Sequence, residues 1–153
     1  QFDIIIASDN LEHLEHDKLA LNNWYKALKP GGKLYVFVPA YMFLWSPHDE
    51  VNMHFRRYTR SELIEKVKDA GFVLERASYW NVLLFFPAYL KRKTVNLTKK
   101  NEENIHGDIE SIPKVNGLLL KLLRLENHLL KKLNAPFGVS TYCVASKPQV
   151  DRV

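Results

Sequence analysis

The chain has 153 residues, a net charge of +5, 46% apolar and 25% charged residues. Those proportions fit one packed domain and exclude a chain disordered throughout. Its one cysteine, Cys143, excludes an internal disulfide and reads as a small buried hydrophobe; no apolar run reaches the roughly 18 residues of a membrane span.

The charge is unevenly placed. Lys and Arg against Asp and Glu number 10 to 11 in residues 1–88, 10 to 5 in 89–134 and 2 to 1 in 135–153. A solvated helix face is the simplest reading of the basic segment. An anionic membrane surface contacted through 81–134 is an alternative, and nucleic acid is a disfavoured one.

In chain order, "FDIIIAS" (2–8) is a continuous apolar run, as expected of a parallel strand covered on both faces. "HDKLALNNWYKALKPGG" predicts a helix with Leu21, Trp24, Tyr25 and Leu28 on one face, stopped by Pro30, Gly31 and Gly32. "KLYVFVP" (33–39) predicts a second strand, giving a right-handed β–α–β unit. Residues 40–58 have no clean period and read as a long functional loop or a short irregular helix. "TRSE" (59–62) is a capping box that opens a helix, with Gly71 at its C-terminal cap.

"FVLERASYW" (72–80) predicts a third strand. "NVLLFFPAYLKRK" (81–93) predicts a short apolar helix kinked or divided at Pro87. Residues 94–114 read as a polar linker or mobile loop, 115–134 as a Leu-rich amphipathic helix and 138–148 as a last strand.

The stretch "DNLEHLEHD" (9–17) places four acids and two histidines directly after the first strand. A metal site is not expected from it. His13 and His16 share a face only if a helix has already begun, there is no HExxH spacing, and no cysteine assists. Glu15, His16 and Asp17 suit the N-terminus of the next helix, whose dipole favours acids. Residues 8–13 fall at the carboxyl end of a parallel strand, where open α/β sheets bind ligands.

The ordered set "FDIIIASDNLEHL", "LKPGGKLYVFVPA" and "RRYTRSELIEKVKDAGF", with "GVSTYCVASKP" at the end, resembles the class I S-adenosylmethionine-dependent methyltransferases, type 11 or 12 branch. The resemblance covers about residues 1–80 and the last strand. It implies an α/β, Rossmann-like sheet of three layers. The chain would supply the equivalents of strands four to seven, with a helical insertion before the last. The implied division is a core of 1–80 and 136–148, with a helical cap at 81–135.

It also implies S-adenosylmethionine as cofactor, lined by Ser8, Asp9, Asn10, Leu11 and Glu12. His13 is implied as a base near the acceptor. Gly31 and Gly32 are implied as structural, on the ground that glycine tolerates positive φ. The end of the second strand, with Tyr41, is implied as the substrate mouth.

In "HDEVNMHFRRYT", His48 and His54 are candidate bases, and Arg56 and Arg57 candidates for an anionic acceptor. The alternatives are local: Arg57 pairing with a nearby acid, and Tyr58 packing as a hydrophobic staple. The family's glycine-rich loop and ribose-binding acid have no counterpart in these residues. The resemblance therefore implies methyl transfer to a small-molecule, lipid-like or saccharide-like acceptor that requires an N-terminal half preceding Gln1. The competing expectation is an inert module that binds a partner or a membrane surface. A homodimer covering the open sheet edge and a cytoplasmic location, with or without peripheral membrane contact, complete the expectations.

Overall fold

The computed structural model describes residues 1–98 and 113–149. The elements are β1 (Phe2–Ser8), a 3-10 turn (Leu11–His13), α1 (Asp17–Ala27), β2 (Leu28–Pro39), a 3-10 turn (Met42–Leu44), α2 (Pro47–Val51), α3 (Arg60–Asp69), β3 (Val73–Trp80), α4 (Phe85–Thr98), α5 (Pro113–Leu130) and β4 (Ser140–Ser146). The strands form one sheet in the order β1-β2-β4-β3. β1 and β2 are parallel; β4 runs antiparallel to both β2 and β3.

Alternation sorts the sheet into two faces. Ile5, Leu34, Val36, Val38, Cys143 and Ala145 face α1 and α3, and with Leu21, Tyr58, Leu63 and Val67 they make the main core. Burial pushes the Cys143 thiol up to about 12, so it is an inert part of that core. A bulge between Leu74 and Arg76 moves Arg76 to the opposite face, where its guanidinium donates to the carbonyls of Leu130, Lys131 and Leu133 at the end of α5.

Several expectations are corrected. β1 is not covered on both faces: it is the sheet edge, and Phe2, Ile4 and Ile6 are 61%, 55% and 68% exposed. A second, smaller cluster packs Leu130 of α5, with Tyr41 and Val82, against Ala40, Tyr79 and Ala135. α1 ends at Ala27 rather than at the glycines, because Leu28 already has the extended backbone of β2. Of Gly31 and Gly32, only Gly31 has a positive φ, at 77°. Gly32 is small for another reason: a Cβ there would come within 2.9 Å of the Leu28 side chain and the Lys29 carbonyl.

Pro87 neither kinks nor divides α4. It lies in the first turn, where the missing N–H has no partner to lose. Of the expected linker 94–114, residues 94–98 belong to α4 and 113–114 to α5; 99–112 lie outside the described residues. The capping box of α3 forms as expected: Glu62 N donates to Thr59 Oγ1 at 3.2 Å, and Thr59 N donates to Glu62 Oε2 at 2.7 Å. Gly71 follows that helix with φ 93°.

Candidate functional site

β1 and β2 end side by side, and each breaks into a tight turn. Asp9 adopts φ 47°, and its N–H donates to the Phe37 carbonyl at 3.0 Å, so the chain turns over the end of β2. Ser8 Oγ donates to Asp9 Oδ2 at 3.1 Å. The Leu11–His13 turn follows. Its Leu11 side chain is fully buried in the main core and is in the lining of neither cavity described below.

The 41–57 segment is a closed loop. An isolated parallel bridge joins Ala40 to Tyr58, with Tyr41 N donating to the Tyr58 carbonyl at 3.0 Å and Tyr58 N to the Pro39 carbonyl at 3.0 Å. Inside the loop, buried Asp49 gathers four groups. It accepts from Ser46 N (2.9 Å), Ser46 Oγ (3.1 Å), Arg57 Nε and Nη2 (2.7 and 3.0 Å), and it bonds His54 Nδ1 at 2.9 Å. Burial alone would raise its carboxyl, but Arg57 and His54 outweigh this and hold it below the ordinary value. Sequence reasoning gave Asp49 no role beyond a nearby acid, although Ser46-x-x-Asp49 has the spacing of a capping box.

One further bond joins loop and turn: Phe55 N donates to the Glu12 carbonyl at 2.8 Å. It brings His54 against His13, their rings edge to face with centroids 4.5 Å apart. The result is a cavity of about 340 Å³ beyond the ends of β1 and β2, lined by Asp9, Glu12, His13, His48, His54 and Arg57 among others. Glu12 is fully buried, and neither carboxylate oxygen has a hydrogen-bond partner among the described residues. Burial, assisted by the Asp9 charge, pushes its carboxyl up to about 7. A second, smaller cavity of about 240 Å³ lies along β1, lined by Ile5, Ile6, Ala7, Ser8, Asn10 and Trp24.

The structure thus brings His13, His48 and His54 to one cavity with Asp9 and Glu12, and places Ser8 and Asn10 on the neighbouring one. His48 Nε2 bonds Asn52 Nδ2 at 2.9 Å. Arg57 lines the cavity but is committed to Asp49 and the Ala40 carbonyl. Arg56 does not line it: Nη1 lies 3.1 Å from Asp17 Oδ2, and Nη2 donates to the Glu15 carbonyl at 2.6 Å. Tyr41 is not in the lining either. It has φ 60° and stacks between Tyr79 and Phe43, at the start of an aromatic cluster that runs to Phe85 of α4. Tyr58 is core: it is buried, and its hydroxyl donates to Asp17 Oδ2 at 3.0 Å.

Comparison with known proteins bears on this architecture. A family model described as a methyltransferase domain matches residues 1–36. No curated protein matches the sequence significantly. Among solved structures, a phosphoethanolamine N-methyltransferase 2 of Haemonchus contortus, in complex with S-adenosyl-L-methionine, aligns over 97% of this chain and 34% of its own, at 19% identity and TM-score 0.50. A Bacillus halodurans protein assigned as a methyltransferase aligns over 97% of this chain and 65% of its own, at 18% identity and TM-score 0.56. The cyclase SpnF aligns over 97% and 52%, at 16% identity and TM-score 0.51.

The chain spans about a third to two thirds of the length of these structures. Its sheet order, with parallel β1 and β2 and a reversed β4 inserted beside β3, agrees with the expected equivalents of strands four to seven. The chain has the Rossmann-like α/β fold of the class I S-adenosylmethionine-dependent methyltransferases.

Proposed function

We propose that the chain forms the acceptor-side part of an S-adenosylmethionine-dependent methyltransferase acting on a small-molecule acceptor, of lipid-like or saccharide-like character. The observation that carries this reading is the cavity beyond the carboxyl ends of β1 and β2, the place where open α/β sheets bind ligands. The residues present fit one side of a donor pocket. Ser8 and Asn10 line the smaller cavity along β1 with Trp24, and Asp9 lines the larger one. No described residue closes the side facing Phe2, Ile4 and Ile6, and these 153 residues contain no glycine-rich G-x-G-x-x-G turn.

When bound, the cofactor supplies an electrophilic methyl group. Ser8, Asp9 and Asn10 would hold it. The cavity positions the acceptor's nucleophile, and the loop closed at Ala40 and Tyr58 limits the entry of water. Exposed His48 is the best placed to take a proton from an acceptor hydroxyl or amine. Residues 1–80 and 136–148 would form the core of this unit and 81–135 its cap. A neighbour bound to the methyltransferase activator Trm112, from Haloferax volcanii, shows the fold in complex with a protein partner.

Titration calorimetry with S-adenosylmethionine and its demethylated product tests the reading. We expect saturable micromolar binding by the intact polypeptide, weakened at least tenfold by Asp9→Ala and unchanged by His128→Ala on the exposed side of α5. Absence of saturable binding would sink it.

A second reading, partner or membrane-surface binding, is favoured by one feature. α4 and α5 expose Phe86, Leu90, Leu118, Leu125 and Leu129, beside Lys121 and Arg124. No helix among the described residues is long and apolar enough to cross a membrane. Association with anionic liposomes, without binding of the methyl donor, would favour this second reading.

A further inference from the structure

We propose that Glu12, His13 and His54 form a binding site for a divalent transition-metal cation, of the Zn²⁺ or Mn²⁺ class, in the wall of the larger cavity. Each residue offers one ligand atom, and the three atoms lie within 4.8 Å of one another. Tetrahedral donors on a zinc ion sit about 3.4 Å apart, given bonds of about 2.0–2.2 Å. Closing by up to about 1.4 Å is within the rotamer freedom of His13, which reaches solvent at the cavity mouth.

Three independent observations point the cluster at a cation. Glu12 is a fully buried carboxylate with neither oxygen satisfied among the described residues, an arrangement that costs free energy unless something binds there. A protonated Glu12 would still have no acceptor for its hydroxyl among the described residues. A cation satisfies the carboxylate directly.

Second, the His54 ring is oriented as metal-binding imidazoles are. Its Nδ1 is bonded to the Asp49 carboxylate at 2.9 Å, which fixes the tautomer and leaves the Nε2 lone pair for a ligand bond. Asp49 is in turn anchored by Arg57 and Ser46.

Third, His13 and His54 are packed edge to face with ring centroids 4.5 Å apart, so both imidazoles stand beside Glu12 in one wall of the cavity. Arg57 lies near, but its charge is matched by Asp49, while Asp9 adds negative charge on the cavity side.

Two imidazoles and one carboxylate favour a transition metal over Mg²⁺ or Ca²⁺, which prefer all-oxygen sets. Three protein donors leave at least one position open toward the cavity. With the cation bound, His13 and His54 no longer serve as bases, and His48 remains for proton transfer.

The test is metal binding by the full chain, and it does not depend on whether the chain binds a methyl donor. Calorimetry with Zn²⁺, and the visible spectrum of the Co²⁺-substituted protein, should show one cation per chain. Glu12→Gln and His54→Ala should each lower affinity at least tenfold and remove the Co²⁺ bands. Asp49→Asn should weaken binding by roughly 10- to 100-fold through loss of the His54 orientation. His128→Ala should change nothing. Glu12→Gln keeps the side-chain volume and removes the carboxylate donor. Should that variant misfold, His13→Ala near the surface provides the same reading. Binding that is not stoichiometric, or that survives Glu12→Gln, His13→Ala and His54→Ala, overturns the site.

Discussion

At the scale of residues, two buried carboxylates do opposite things. Glu12 is unsatisfied and raised toward neutrality, whereas Asp17 is oversupplied with partners. Lys66 Nζ at 2.8 Å, the Tyr58 hydroxyl at 3.0 Å and Arg56 Nη1 at 3.1 Å all reach Asp17 Oδ2. Burial alone would raise Asp17, but these partners outweigh it and hold the carboxyl below its ordinary value of 3.8. The folded state therefore prefers the ionised form more than the unfolded chain does. That contribution is complete above the ordinary value and is lost as pH falls through it to the lower folded value. Asp17→Asn should lower stability at neutral pH and flatten the acid limb of a melting-temperature profile. An acid limb as steep in the variant as in the parent would remove Asp17 from the account.

The sequence showed part of this residue-scale picture. Asp17 could be read as a helix-start acid, and Arg57 as the partner of a nearby acid. The meeting of His13 with His54 could not be read, because it depends on one long-range backbone bond, Phe55 N to the Glu12 carbonyl. Arg56 and Arg57 looked alike in sequence, yet one points to Asp17 and the other to Asp49. Adjacent side chains diverge wherever the backbone is extended.

At the scale of elements, legibility followed local chemistry. The α3 helix was readable from end to end, since its signals are a cap, an apolar stripe and a closing glycine, all within thirteen residues of one another. Its N-terminus can be tested directly: Thr59→Ala removes the acceptor for Glu62 N and frees the Glu62 carboxylate from the Thr59 hydroxyl. The expected loss is about 1 kcal/mol in urea unfolding, and Thr59→Ser should recover most of it. Equal stability of Thr59→Ala and parent would show that tertiary packing of Leu63 and Val67 alone sets this helix.

The less legible boundaries have non-local causes. β2 starts at Leu28 because Phe2 pairs with it across a register shift, a contact invisible in "LKPGG" itself. Gly138 falls where a Cβ would collide with the Trp80 backbone, so its smallness is dictated by a strand 58 residues earlier.

At the scale of the whole molecule, the described sheet is packed on one face by α1 and α3, and β1 forms one of its edges. α1 and α3 cover the face built on Leu34, Val36 and Cys143. On the other, Phe2, Ile4 and Ile6 of edge strand β1 are open, and the surface continues through half-buried Tyr35, Phe37 and Tyr142. A continuous apolar face ending in an unpaired strand is an association site in most settings. In this fold it is also the side on which the donor pocket would need its second wall. The described chain should therefore self-associate as concentration rises into the micromolar range, through β1 and the face beside it. Replacing Ile4 and Ile6 together by Lys should return it to a monomer in sedimentation velocity. The cost in melting temperature should be small, because both side chains are mostly exposed in the isolated fold. Replacing Leu118 and Leu125 on α5 in the same way should leave that equilibrium in place, since they lie on α5 and not on the sheet. A chain that stays monomeric at high concentration would refute the association, and one abolished only by the α5 changes would move the interface from the sheet to α5.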